Sequence, residues 1–230
     1  TPNVGGIAVV FSTLVTFVVW GGLVVPDTVR RPEILFMLLG SVLMFCVGFW
    51  DDTHPIRART KFMLQAAIAA LAFFGGVRIM GVGFGDVWFS QFPAFASFVA
   101  TLIWIVGTTN AFNLIDGSDG VAGGAAMFAS ISMGIIFMLT GDPLGALMAT
   151  ILVGACLGFL FFNFPPASVF MGDCGSLFLG FSLAAYGLYG TAHSDPILNL
   201  VVPAVVMGLP VLDTSVSILR RLVTRRPLFA

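Results

Sequence analysis

Apolar residues run in long blocks separated by short polar punctuation, near 5–25, 33–50, 60–80, 95–115, 120–140, 143–163, 174–192 and 197–221. A helix needs about 20 such residues to cross a hydrocarbon core, so the pattern predicts eight spanning helices. The breaks fall at Pro26 and Pro32, at the pair Asp51-Asp52, at "GVGFGD", "DGSDG", "TGDP", "NFPPAS" and "HSDP", all turn-forming sequences. Strands with open edges leave backbone groups unpaired in lipid, so the blocks read as helices. One stretch differs: 78–94, "RIMGVGFGDVWFSQFPA", is too interrupted to span and alternates weakly. It predicts an interfacial loop or short hairpin, with Trp88, Phe89 and Phe92 suited to an aromatic belt. The expected fold is an all-α, polytopic membrane bundle forming one transmembrane domain over 1–230, continued in a longer protein at both ends.

Composition agrees. The 230 residues are 58% hydrophobic and 9% charged, with a mean hydropathy of +1.05, outside the range of soluble domains. Ten basic residues and a net charge of −1 leave no polybasic surface, which argues against a nucleic-acid partner. Cys46, Cys156 and Cys174 lie in or beside apolar blocks without CxxC spacing, and read as small buried hydrophobes. Glycine-rich pieces such as "GACLG" at 154–158 read as helix-packing surfaces.

Charge placement adds orientation. Eight crossings put Arg57, Arg59, Lys61, Arg220, Arg221, Arg225 and Arg226 on one face and only Arg30, Arg31 and Arg78 on the other. The basic face is expected to be cytoplasmic. The same face receives Asp51 and Asp52, the stretch "NAFNLIDGSDG" from Asn110 to Gly120, then Asn163, Asp173 and Asp213. Crowded carboxylates repel, and a cation or a basic partner lets them coexist. A hard divalent ion such as Mg²⁺, or Mn²⁺, held by a few oxygens plus phosphate and water, suits so sparse a set. With Lys61 meeting further phosphate charge, the cluster points to phosphoryl transfer at the cytoplasmic membrane surface.

Duller readings accompany each residue. Asp119 and Asp173 stand where N-caps stand. Asn110 and Asn113, three apart, suit hydrogen bonds between helices. The terminal arginines suit a membrane anchor, and His54 a solvated loop. An ion-coupled transporter also uses intramembrane Asp and Asn, but at the midplane and commonly with repeated halves. The acids here sit at helix ends, and no internal repeat is visible.

The ordered blocks "TPNVGG", "GFWDD" with "KFMLQ", "NAFNLIDGSDG", "NFPPASVFMGDCGS" and "PVLDTSVSILRRL" resemble the polyprenyl-phosphate N-acetylhexosamine-1-phosphate transferases over nearly the whole chain. This family includes the phospho-MurNAc-pentapeptide translocases; the ending "RRPLFA" and the "PVLDT" block look closer to the polysaccharide-initiating, GlcNAc-1-phosphate branch. The resemblance implies Mg²⁺-dependent transfer of a sugar-1-phosphate from a UDP-N-acetylhexosamine to undecaprenyl or another polyprenyl phosphate, releasing UMP. It implies Asp51, Asp52 and Asp173 as catalytic, with Asp173 and Asn113 at the metal. Lys61, Asn113, Asp116, Asp119, Asn163 and Phe170 would bind substrate. It also implies a multi-pass plasma-membrane location, a possible homodimeric assembly, ten or eleven helices in the whole protein and a histidine-rich loop beyond the last block.

Overall fold

A computed structural model describes residues 4–24, 31–84, 88–193 and 208. The described residues form seven long helices: α1 (Gly5–Val24), α2 (Pro32–Thr53), α3 (Ala58–Phe74), α4 (Ala94–Ile115), α5 (Val121–Leu139), α6 (Pro143–Asn163) and α7 (Gly172–His193). The predicted block 197–221, with Asp213 and the four terminal arginines, lies outside the described residues. Among the described residues, five helices (α1, α2, α4, α5 and α6) are long and apolar enough to cross a membrane. The architecture is a polytopic membrane helical bundle.

The third block ends earlier than its hydropathy suggests. Gly75 closes α3 on Leu71, and Gly76 follows at φ 101°, a conformation that glycine adopts without penalty and that stops a helix. The 17 residues of α3 rise about 26 Å. Beyond them β1 (Gly81–Phe84) pairs antiparallel with β2 (Trp88–Gln91), which is the hairpin expected at 78–94. Its base is tied to α4, where Ile79 N donates to Thr101 Oγ1 at 3.0 Å and Ser97 Oγ donates to Ile79 O.

The outer surface is apolar: Phe11, Trp20, Phe62, Phe128 and Phe161 are all exposed, as lipid requires. The inside is less oily. Helix α7 is buried on every side from Cys174 to Gly190, packing chiefly on α2, α4 and α1. Its Gly, Ser, Ala and Cys content is what lets three helices approach that closely. Ser41 Oγ meets Ser182 Oγ at 3.2 Å and Trp104 Nε1 donates to Ala184 O at 3.1 Å, so its polar groups are paired across helices. Backbone meets backbone at Gly48, where a Cβ would fall 2.3 Å from the carbonyl oxygen of Asp173. That contact seats the C-terminal end of α2 against the first turn of α7.

Candidate active site

One turn beyond Gly48, Asp52 hangs over the start of α7. Its Oδ1 accepts from Asp173 N at 2.8 Å and its Oδ2 from Cys174 N at 2.9 Å. The N–H groups of a first helical turn have no partners within the helix, and a carboxylate there is favoured by the helix dipole as well. Asp52 therefore caps a helix to which it does not belong. Gly172, at φ 71° and with Asp52 Oδ2 only 2.8 Å from where its Cβ would be, makes room for this cap. The sequence expectation that Asp173 caps its own helix is corrected: it sits inside the first turn, and Asp52 supplies the cap.

Fixed in this way, Asp173 turns its carboxylate to two neighbouring helices. Its Oδ1 accepts from Asn113 Nδ2 of α4 at 2.8 Å, and its Oδ2 from Lys61 Nζ of α3. Lys61 also pairs with Asp51 Oδ2 at 2.9 Å and reaches Asn113 Oδ1 at 3.5 Å. Asp51 Oδ1 is held by Ile56 N at 2.8 Å. The Lys61 and Asp51 side chains are only 14% and 13% exposed, so these charges interact with little solvent screening. Asp51, Asp52, Lys61, Asn113 and Asp173, drawn from four helices, thus form one connected network.

Asp116 lies beside it, just past the end of α4. Burial, then the charges of Asp173 and Asp52, push its carboxyl up to about 7. Four carboxylates against one ammonium leave this corner short of positive charge.

Asp119, Asn163 and Phe170 build an adjoining loop platform. Asp119 Oδ2 accepts from Ala167 N at 3.1 Å. Asn163, 4% exposed, accepts from Gly120 N and donates to Val169 O, both at 2.8 Å. Phe170, partly buried, offers its carbonyl to Gly5 N at 3.0 Å, and Met171 O accepts from Gly6 N at 3.0 Å. Asp119 is not the cap of α5: Gly120 occupies that position at φ 76° with no side-chain cap. Asn110 does bond between helices, donating to Gln65 Oε1 at 2.6 Å, and Asn113 likewise donates to Ser176 Oγ at 2.9 Å. His54 is exposed, and its ring meets the hydroxyl of its neighbour Thr53 at 3.1 Å.

Sequence reasoning passed over Gln65 and Ser176, both fully buried. Each stands inside a quoted block, "KFMLQ" and "MGDCGS", one turn or less from a charged member. That helical spacing was the available signal. A separate groove of about 840 Å³ between α1 and α6 is lined almost wholly by apolar groups, with Val4, Gly5 and Val169 at one end. It carries no charge chemistry.

The bundle and its acidic corner define a class: a membrane-embedded protein whose charged site opens where helix ends meet. Comparison with known sequences makes this specific. Residues 34–191 match the family model of glycosyl transferase family 4, and the chain belongs to that family. It is 31% identical, over all of its own length and 62% of the relative's, to a probable undecaprenyl-phosphate N-acetylglucosaminyl 1-phosphate transferase of Bacillus subtilis (strain 168). It is 35% identical, over 93% of its length and 65% of the relative's, to a phospho-N-acetylmuramoyl-pentapeptide-transferase of Desulforamulus reducens. The chain spans about three-fifths of the length of the curated relatives it matches. Family membership displaces the transporter reading.

Proposed function

We propose that the protein to which this chain belongs transfers N-acetylglucosamine-1-phosphate from a UDP-sugar to undecaprenyl or another polyprenyl phosphate, releasing UMP at the cytoplasmic face of the plasma membrane. The observation that carries this reading is the network on Asp173, whose carboxylate is met by Lys61 and Asn113 and whose backbone N–H is met by Asp52, so that three other helices converge on one residue beside the underneutralised Asp116. Such a corner suits two phosphate-bearing substrates only if a further cation joins it. The activities for which the two relatives are named supply the sugar and lipid classes.

The donor set fits a hard divalent cation. It is made of carboxylate and amide oxygens, and Asp116 has charged neighbours of its own sign. Among the described residues no three His, Cys, Asp or Glu side chains are grouped to hold a metal by themselves, which fits Mg²⁺ bound through one or two side chains and substrate oxygens. Asp173 and Asn113 would hold it, with Asp116 beside them, and its charge would neutralise the diphosphate.

In the reaction, an oxygen of the lipid phosphate attacks the sugar-bearing phosphorus of the UDP-sugar, and the bond from that phosphorus to the bridging oxygen breaks, releasing UMP. A phosphate monoester is already anionic near neutrality, so orientation and charge balance dominate over strong base catalysis. Lys61 holds Asp51 and Asp173 in place and presents positive charge to the incoming phosphates. Asp51 accepts the proton from the monoanionic fraction of the lipid phosphate. Asp52 acts through its cap, aiming Asp173. Asp119, Asn163 and Phe170 shape the loop against which the nucleotide rests.

The test is UMP release by membranes carrying the whole protein, supplied with undecaprenyl phosphate, Mg²⁺ and either UDP-N-acetylglucosamine or UDP-MurNAc-pentapeptide. Turnover with the first sugar and its abolition by EDTA are expected. Turnover with the pentapeptide sugar alone would move the protein to the translocase branch. No UMP from either would overturn the reading.

A further inference from the structure

We propose that Gln65 is a positioning residue for this site, acting with Asn110 to set how far Lys61 and Asn113 reach toward Asp173; its kinetic part rests on the function proposed above. Gln65 is fully buried, so it acts through other residues. Its Oε1 accepts from Asn110 Nδ2 at 2.6 Å, and that same Nδ2 donates to Val106 O at 2.8 Å. The second bond fixes the orientation of the Asn110 amide, because an oxygen in place of Nδ2 would face a carbonyl oxygen. Gln65 must then offer its own oxygen to Asn110, and its Nε2 is left inside the protein with no partner.

An unpaired buried donor costs stability, and an apolar side chain of similar volume would avoid that cost. Packing alone gives no reason to keep glutamine. Its place on the helix does. Lys61 and Gln65 are four residues apart on α3, and Asn110 and Asn113 three apart on α4, so each pair shares a helix face. The buried amide pair joins α3 to α4 about one turn deeper than the Lys61–Asn113 contact. Any slide of α3 along α4 would break the amide contact and shift Lys61 and Asn113 unequally against Asp173.

The decisive variant is Gln65→Met in the whole protein, since methionine fills a similar volume without the unpaired donor. Its melting temperature is expected to equal or exceed that of the parent. Its kcat is expected to fall about 10- to 100-fold, with the KM for polyprenyl phosphate changed by less than about two-fold. Lys61 is the only lysine in the sequence, so its acylation by an amine-reactive ester, followed by peptide mass spectrometry, reports its clamp without substrate. That rate is expected to rise several-fold. Gln65→Met/Asn110→Leu, which leaves no amide unpaired, should show the same changes and guards against misfolding of the single variant.

Unchanged kcat with unchanged Lys61 acylation would overturn the proposal. So would losses of turnover that track losses of melting temperature in both variants, since that is a purely structural role. If the parent protein itself releases no UMP, the proposed function fails while Lys61 acylation still decides the positioning.

Discussion

Adjacent aspartates do different work here. Both oxygens of Asp52 are used on the backbone of α7, whereas Asp51 faces Lys61. Asp52→Ala is expected to cost about 1–2 kcal/mol, as loss of a helix cap does, and the change is read by the denaturation midpoint in detergent. Lys61→Met leaves Asp51 and Asp173 facing each other without a cation, and a loss of about 3 kcal/mol is expected. Adding Asp51→Asn should restore part of it, and the double-mutant cycle measures that coupling. Asp116 adds a pH dependence. Its folded-state carboxyl titrates at about 7 and its unfolded one near 4, so between these values the folded state holds a proton that the unfolded state has lost. Stability contributed by this group is therefore complete below about pH 4 and falls as pH rises to about 7. Plotted against pH, the melting temperatures of the protein and of Asp116→Asn should run parallel below about pH 4, separate between about 4 and 7 as the parent alone loses stability, and run parallel again above it. Which residues crowd together was legible in the sequence, because polar atoms stand out in an apolar chain. Their partners were not: a cap on α7 that comes from α2, or Asp119 bonding Ala167 rather than its own helix, depends on contacts that local spacing does not encode.

At the scale of elements, hydropathy placed six of the seven described helices to within a few residues, and also the hairpin near 78–94. It carried α3 six residues too far, because the apolar run continues past Gly75-Gly76 while the helix stops there. Close packing was less legible. Gly48 reads as one small residue among many, yet it is the point where α2 meets the carbonyl of Asp173. Gly48→Ala must push the helices apart, and overpacking of this kind costs about 1–3 kcal/mol. Because Asp52 stands one turn further along, the same shift should loosen its cap. Faster hydrogen exchange at the amides of Asp173 and Cys174 is therefore expected in Gly48→Ala, whereas Gly154→Ala, where a Cβ meets nothing within 4 Å, should leave them unchanged.

For the molecule as a whole, the charged network and the hairpin occupy opposite ends of α3, about 26 Å apart. Arg57, Arg59 and Lys61 flank the network end, so the positive-inside bias makes that end the expected cytoplasmic one, as the proposed function has it, and the hairpin end the expected outer one. A UDP-sugar is made in the cytoplasm and cannot cross the bilayer, so the proposed chemistry requires the same orientation. Single cysteines at His54 and Ser90, both exposed, separate the two faces. The native Cys156 and Cys174 are buried, whereas Cys46, expected to be buried, is exposed; it lies on the apolar α2, where lipid keeps a charged reagent away. In intact cells a membrane-impermeant maleimide is expected to label Ser90→Cys and to spare His54→Cys until the membrane is opened. The reverse pattern would put the site on the outer face, where no nucleotide sugar is supplied, and would remove the transferase reading together with the orientation.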